Sequence, residues 1–206
     1  MKATPNLPIV QKIIKSYNIK SEIKPSEKLI LITTLYNCKN KIRMDEFIFC
    51  IKENSKLFKK MIVIIEDIFE ESFYDQFSNI HFIKLHKRAT FNNLIEIGNK
   101  HIDKIIVISN TDIIFGNDIF MLNPNKSVYT IHRQENNDEY SDKGIDAWVY
   151  KSPIKTTFNM NLGTKNCDLK FNKELSKHLK LINIINIKCL HIHDSGYRTW
   201  TKFQCV

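Results

Sequence analysis

A carboxylate follows one of the most hydrophobic stretches of the chain. Asp112 comes shortly after the run KIIVIS at 104–109, and Asn110 stands two residues earlier, on the same face if the strand continues. Open α/β sheets bind ligands beyond the carboxyl ends of their strands, and Mg²⁺ or Mn²⁺ prefers oxygen ligands. Asp112 is therefore the first candidate for a metal ligand. The alternative interpretation is an Asx turn that closes the strand.

Two histidines stand two residues apart near the end of the sequence, His191 and His193. Residues with this spacing on a strand share a face, so both imidazoles would point the same way. One of them would then supply a nitrogen ligand to the metal at Asp112. The alternative is a pair of partly exposed strand histidines that bind nothing.

Two further carboxylates lie in the second half of the chain. Asp146 is in the segment GIDAWVY beside Trp148, and Asp168 stands near the start of a predicted helix that follows a glycine turn. A carboxylate at a helix N-terminus caps the helix, or it stays ionised and acts as a general base toward a hydroxyl group. An aromatic ring near such a base would stack on a sugar.

Hydrophobic periodicity predicts the elements that must position these side chains. Continuous β-branched runs alternate with helical patterns, which predicts an α/β protein of doubly wound type with a parallel sheet covered on both faces. The predicted strands there are 28–34, 60–66, 80–85 and 104–109, and the predicted helices are 43–58 and 91–101. Beyond 115, predicted strands at 127–132, 147–151 and 182–192 and a helix at 168–179 extend the sheet in mixed orientation.

Both ends of the chain are expected to pack on this core. Residues 1–27 are rich in lysine and contain one amphipathic stretch, Ile9–Tyr17, which predicts a docking arm or helix. The tail Arg198–Val206 is expected to cap the fold. A length of 206 residues favours a single domain over residues 1–206.

Composition and missing motifs limit the partners and the class of protein that the sequence can represent. The net charge of +9 comes from 31 Lys and Arg against 22 Asp and Glu, but only four of the cations are arginine, and the lysines are spread along the chain. We therefore predict no specific nucleic-acid partner, although a weaker attraction for anionic ligands remains. Five cysteines without a CxxC pair favour reduced thiols in a cytoplasmic protein. The sequence has no transmembrane-length apolar run, no GxGxxG and no GxxxxGK[ST].

The order of these features resembles that of GT-A-fold nucleotide-sugar glycosyltransferases. The strings SNTDIIF, DAWVYKSPI, LGTKNCDLKF and CLHIH are similar to segments of small glycosyltransferase-like domains in large DNA viruses and bacteria. The resemblance runs from about residue 28 to residue 193 and implies a Rossmann-like, mostly parallel sheet with a mixed C-terminal part. It also implies a nucleotide-binding half at 28–115 and an acceptor and catalytic half at 116–206.

The resemblance implies a role for particular residues. The metal-binding DXD motif of the family falls on Asn110-Thr111-Asp112, where Asn replaces the first acid. The late histidine ligand falls on His191 or His193, and the catalytic aspartate on Asp168, while Asp146 and Trp148 would line the donor sugar or the acceptor. The nucleotide-binding positions implied are Thr33, Thr34, Tyr36, Asn37, Glu66 or Asp67, Arg88, Asn92, Asn110 and Thr111.

These roles imply a Mn²⁺- or Mg²⁺-dependent enzyme that moves a sugar from a nucleotide-diphosphate donor, UDP-linked by first choice, to a hydroxyl group of a glycan or glycoconjugate. The metal would neutralise the leaving diphosphate. Whether configuration is inverted or retained stays open, as does the oligomeric state. Two alternatives remain. One is a metal-dependent phosphohydrolase that uses Asp112, both histidines and Asp194. The other is a non-catalytic module that binds nucleic acid or other anions through its positive charge.

Overall fold

The structure, a computed structural model, describes residues 27–135, 140–156 and 158–197, with residues 140–143 described in their backbone alone. The predicted tail and all but the last residue of the predicted arm lie outside these ranges. No helix in the described ranges is long and apolar enough to cross a bilayer.

The described strands form one sheet of nine. They are β1 (Leu29–Leu35), β2 (Met61–Ile65), β3 (Ile80–Lys84), β4 (Ile105–Ser109), β5 (Ile113–Phe115), β6 (Ser127–Gln134), β7 (Tyr140–Lys151), β8 (Lys180–Ile184) and β9 (Cys189–His191). Their order is β3-β2-β1-β4-β7-β6-β9-β5, and β8 pairs with β6. The strands β1 to β4 are parallel, whereas β7 runs antiparallel to both β4 and β6. The predicted α/β fold with a mixed C-terminal part is confirmed.

Helices cover both faces of this sheet. They are α1 (Lys41–Leu57), α2 (Glu71–Tyr74), α3 (Phe91–Asn99) and α4 (Cys167–Leu175), with a 3-10 helix at Asn117–Met121. One hydrophobic cluster joins α1 to the sheet through Leu31, Phe47 and Val63, and a second joins α3 and α4 to the other face. Because β1 is buried along its whole length, its sequence, LILITTL, does not alternate between apolar and charged residues.

Two features differ from the periodicity of the sequence. The predicted strand at 182–192 is two strands, since β8 pairs with β6 and β9 pairs with β5. The elements β5 and α2 were not predicted, because three or four residues are too few to establish a period. The pairing of β9 with β5 matters for the site, because it places residues 189–191 beside the residues that follow β4.

Candidate active site

Polar side chains from distant parts of the chain meet beyond the carboxyl ends of β1 and β4. These strands are parallel neighbours, so the residues that follow them lie at the same edge of the sheet. A cleft of about 190 Å³ opens there. Nine residues predicted from the sequence line it: Thr34, Tyr36, Arg88, Asn110, Thr111, Asp112, Asp146, His191 and His193.

Asp112 is held by two cationic side chains. Its Oδ2 atom accepts a hydrogen bond from Arg43 Nη2 and lies 3.1 Å from His191 Nε2. Burial raises the pKa of Asp112, but the hydrogen bonds and charges of His191 and Arg43 outweigh burial and bring that pKa well below its usual range. The other oxygen, Oδ1, is buried and has no hydrogen-bond partner among the described residues. Asp112 is therefore an ionised carboxylate with one uncommitted oxygen.

The start of α1 positions Arg43. The Asn40 side chain caps the helix by accepting from the Arg43 backbone N–H at 3.0 Å. The guanidinium also donates to Glu46 and to the carbonyl of Ile192, both at 2.8 Å. Glu46 is fully buried and accepts from the backbone N–H and hydroxyl of Ser195, at 2.6 and 3.0 Å. This network ties α1 to the segment that follows β9.

The strand β9 brings His191 beside Asp112. The Nδ1 atom of His191 lies 3.2 Å from Glu135, so both ring nitrogens contact carboxylates. Burial lowers the pKa of His191, but the hydrogen bond and charge of Asp112 outweigh burial and raise it. His193 lies with its ring centroid 5.3 Å from that of His191, and its Nε2 atom lies 3.1 Å from the carbonyl of Tyr197. Both ring nitrogens of His191 are thus engaged with carboxylates in this arrangement.

Asp146 reaches the same cleft from β7. Asn110 donates to it twice, from its side chain to Oδ1 at 2.7 Å and from its backbone to the Asp146 carbonyl at 3.0 Å. The Oδ2 atom is buried without a hydrogen-bond partner in the described part of the chain, with Arg133 Nη1 at 3.6 Å. Burial and the charge of Asp112 raise the pKa of Asp146. Asp146 on the neighbouring strand β7 therefore places a carboxylate against Asn110.

Arg88 is anchored within the cleft lining. Its Nη1 atom lies 2.7 Å from Glu66, and its Nε donates to the carbonyl of Leu162 at 2.9 Å. The guanidinium lies 5.0 Å from the ring centroid of Tyr36. Gly163 lies against it with φ +73°, and a Cβ atom at this position would overlap Arg88 Nη2. The glycine turn before α4 therefore makes room for Arg88.

Six of the predicted site residues are absent from the cleft lining that the described residues form. They are Thr33, Asn37, Asp67, Asn92, Trp148 and Asp168. Thr33 donates to the Ser109 carbonyl at 2.9 Å and so joins β1 to β4. Asp67 accepts from the Asn37 backbone at 2.6 Å. Asn92 donates to Glu96 within α3, also at 2.6 Å. These contacts stabilise strands, turns and helices beside the cleft.

Trp148 and Asp168, two of these six residues, lie away from the cleft lining. Trp148 is 1% exposed, packs edge-to-face on Phe91 and Phe171, which stack on each other, and donates to Asn172 at 2.6 Å. Its ring belongs to the hydrophobic core and is not part of the cleft lining that the described residues form. Asp168 is half-buried in the first turn of α4, where a carboxylate interacts favourably with the helix dipole. The structure does not bring it to the other predicted catalytic groups.

Arg43 and Arg133, which no motif of the sequence singled out, both line the cleft. One signal for them was available. Among 31 Lys and Arg only four are arginine, so each arginine departs from the lysine bias of the chain. Arg43, Arg88 and Arg133 all meet in the cleft, and Arg198 lies outside the described residues. A guanidinium holds carboxylates with fixed geometry, which an ammonium group does less well.

Two carboxylate oxygens in the cleft are the candidates for holding a divalent cation. Asp112 Oδ1 and Asp146 Oδ2 both lack a hydrogen-bond partner among the described residues. No group of three acidic, histidine or cysteine side chains with metal-ligand geometry occurs in the described ranges. Mg²⁺ commonly binds through one or two carboxylates with substrate phosphates completing the shell. Asp112 and Asp146 are therefore the residues that would hold such a cation.

Comparisons with known proteins agree with this description of the fold. No protein-family model matches the sequence, and no curated protein sequence matches it. Among solved structures, the mannosyltransferase PcManGT of Pyrobaculum calidifontis, in complex with GDP-Man and Mn²⁺, superposes with a TM-score of 0.54 at 11% identity. That match covers 96% of this chain and 67% of the mannosyltransferase.

Two other structures match at lower TM-scores. They are the inositol-1-phosphate CTP transferase of T. maritima (TM-score 0.49, 8% identity, 85% of this chain and 96% of that chain) and the glycosyltransferase GlyE of Streptococcus pneumoniae (0.45, 12%, 76% and 45%). At 11% identity the match to PcManGT is one of fold. The GT-A-like fold implied by the sequence motifs is therefore confirmed.

Proposed function

We propose that the protein is a glycosyltransferase that takes a sugar from a nucleoside-diphosphate donor with the help of a divalent cation. The observation that carries the proposal is the meeting of Asp112, Asp146 and three arginines beyond the carboxyl ends of parallel strands. This is the edge at which open α/β sheets bind nucleotides. The fold shared with a nucleotide-sugar enzyme agrees with this class of reaction.

The charge balance of the cleft supports a cation. Four cationic groups, Arg43, Arg88, Arg133 and His191, face five carboxylates, Glu46, Glu66, Asp112, Glu135 and Asp146. With all of them ionised, the balance is negative and disfavours a diphosphate. A divalent ion held by Asp112 and Asp146 would reverse the sign and, as a Lewis acid, stabilise the departing diphosphate.

Two arginines are available to contact the donor phosphates. The Arg88 and Arg133 side chains are 27% and 19% exposed, whereas that of Arg43 is 7% exposed and committed to Asp112 and Glu46. Guanidinium groups bind phosphate oxygens through paired, charge-assisted hydrogen bonds. We assign Arg88 and Arg133 to the diphosphate and Arg43 to holding Asp112 in place. No proton transfer is assigned to Asp168.

Calorimetric titration tests this proposal. We would titrate UDP, GDP, CDP and dTDP into the protein, each with and without Mn²⁺. The expected result is binding of one diphosphate that requires the metal and is lost when Arg88 is replaced by Met. The variant Lys87→Met removes a neighbouring exposed cation and is the matched control. Folded protein that binds none of the four diphosphates would contradict the proposal.

The phosphohydrolase alternative has less support. Its fourth residue, Asp194, is exposed and is absent from the cleft lining that the described residues form. Release of free phosphate from a nucleoside diphosphate, without transfer of a sugar, would favour that alternative over the glycosyltransferase.

A further inference from the structure

Six lysines lie along the edge of the sheet opposite the cleft. Lys28, Lys60, Lys104 and Lys126 each directly precede a strand, Lys151 ends β7, and Lys180 begins β8. We call this set the lysine edge. The register places Leu29 beside Ile105, Ile105 beside Lys151, and Ser127 beside Lys180, so these strand ends are neighbours. Lysines that are scattered in the sequence are therefore gathered by the topology.

The lysine edge is broad and open to solvent. It belongs to six adjacent strands in the order β2-β1-β4-β7-β6-β8, which at about 4.8 Å per strand span roughly 24 Å. Five of its six lysines are exposed, and Lys104 is half-buried. Two nearby carboxylates form surface ion pairs, Glu27 with Lys59 at 3.1 Å and Asp103 with Lys151 at 3.2 Å. Lysines outnumber these carboxylates, so the edge presents a positive field.

An apolar side chain stands within this positive field. Ile102, in the turn between α3 and β4, is 68% exposed and directly precedes Asp103 and Lys104. A recess of about 390 Å³ beside it is lined by Ile102 together with Lys28, Lys104 and Lys151. The positive charge also acts on the neighbouring His101, because burial and the charges of nearby cations such as Lys60 lower its pKa.

We propose that the lysine edge docks the protein on an anionic lipid bilayer, with Ile102 entering the headgroup layer. Lysine suits a lipid surface because its compact charge needs no fixed partner geometry, and clustered lysines bind anionic membranes without a specific headgroup. An exposed isoleucine among lysines adds apolar contact that a membrane interface accepts.

The observations favour a membrane over a nucleic acid. The three described arginines, which would make the forked contacts typical of nucleic-acid recognition, all lie in the cleft at the other edge of the sheet. An exposed apolar residue gains nothing against a phosphate backbone. Docking through the lysine edge would also leave the cleft facing water, where it meets a soluble donor.

Vesicle sedimentation tests the proposal with the whole chain. The protein is mixed with vesicles of phosphatidylcholine alone, or with about 30% phosphatidylserine, at about 0.1 M salt. We expect binding to the anionic vesicles only. The triple variant Lys60→Gln, Lys126→Gln and Lys180→Gln should bind roughly a hundredfold more weakly, at about fivefold per lysine.

Matched variants distinguish membrane binding through the lysine edge from binding through net charge alone. The control replaces three exposed lysines away from this edge, Lys39→Gln, Lys87→Gln and Lys165→Gln, and should lose less than about tenfold. Ile102→Ser should weaken vesicle binding severalfold at unchanged charge. Equal loss in both triple variants would overturn the proposal. So would wild-type protein that leaves anionic vesicles unbound, or that binds duplex nucleic acid more tightly with no response to Ile102→Ser.

Discussion

At the residue scale, Asp112 is a carboxylate whose partners are as buried as it is. Arg43 and Asp112 are 6% and 9% exposed, and the Arg43 guanidinium also serves Glu46 and Ile192. Removing one member of a buried ion pair leaves the other charge without compensation, which costs more than the pair itself contributes. Asp112 is therefore structural as well as a candidate ligand.

Replacing Asp112 by Asn tests both roles. We expect the variant to lose Mn²⁺-dependent diphosphate binding and to be less stable by about 3–5 kcal/mol, because Arg43 and His191 lose a buried anionic partner. Calorimetry and urea unfolding measure the two effects. Asp168→Asn changes a carboxylate outside the cleft lining and should bind diphosphate like the wild type. The reverse pattern, with binding lost only in Asp168→Asn, would contradict the assignment.

The two glycines with positive φ allow a matched comparison. A Cβ at Gly163 would overlap Arg88, whereas a Cβ at Gly196, with φ +61°, meets nothing within 4 Å. Both alanine variants carry a similar backbone cost of about 1–2 kcal/mol. Only Gly163→Ala should also displace Arg88, so we expect it to weaken diphosphate binding at least tenfold while Gly196→Ala leaves binding unchanged. Equal binding by the two variants would contradict a role for Arg88 in the cleft.

At the element scale, the close approach of α3 to β7 depends on Gly98. A Cβ added there would overlap the Tyr150 hydroxyl, which is buried and has no hydrogen-bond partner among the described residues. We expect Gly98→Ala to cost about 1–3 kcal/mol in the wild type. In a Tyr150→Phe background the overlapping oxygen is gone, so most of that cost should disappear, and urea unfolding of the double-mutant cycle measures the difference. Additive effects of the two substitutions would mean that the helix does not approach the sheet at this point.

The burial of Glu66, which follows β2, predicts that the stability of the protein depends on pH. Glu66 accepts hydrogen bonds from the Arg88 side chain and, at 3.0 Å, from the Ala89 backbone, and burial raises its pKa above the usual value despite the charge of Arg88. Folding therefore favours the protonated form of Glu66 more than the unfolded chain does, so stability falls as the pH rises through the ordinary glutamate pKa, near 4.3. Relative to Glu66→Gln, the wild type should lose stability as the pH rises above about 4 in urea unfolding. A constant difference between the two proteins across this range would contradict it.

The elements that the sequence predicted are those with enough residues to establish a period. Buried strands such as β1 and β4, and the helices α1 and α3, follow from their own residues. The candidate site followed only in part. Asp112 closely follows a recognisable strand, but its contact with His191 depends on β5 and β9, each three residues long. Arg43 reaches Asp112 across 69 positions, and no local pattern encodes that contact.

At the scale of the whole molecule, two clusters of positive charge lie at opposite edges of the sheet. The three described arginines lie beyond the carboxyl ends of β1 and β4, paired with carboxylates, and the six lysines of the lysine edge lie at the opposite edge. These lysines look scattered in the sequence because they are far apart along the chain. Parallel strands begin at the same edge of a sheet, so residues that precede different strands become neighbours. Spacing along a sequence is therefore poor evidence against a charged surface in an α/β fold.

Linkage between binding and folding gives the last prediction, because a donor diphosphate and Mn²⁺ that bind the folded protein must stabilise it as a whole. At concentrations about a hundredfold above the dissociation constant, the gain is about 2.7 kcal/mol. For a chain of 206 residues this raises the midpoint of thermal unfolding by about 5–10 °C. We expect the full shift only with both ligands present, because the metal is proposed to offset the charge of the cleft carboxylates. Asp112→Asn should show no such shift, and an equal shift with diphosphate and a chelator would mean that the arginines suffice without a metal.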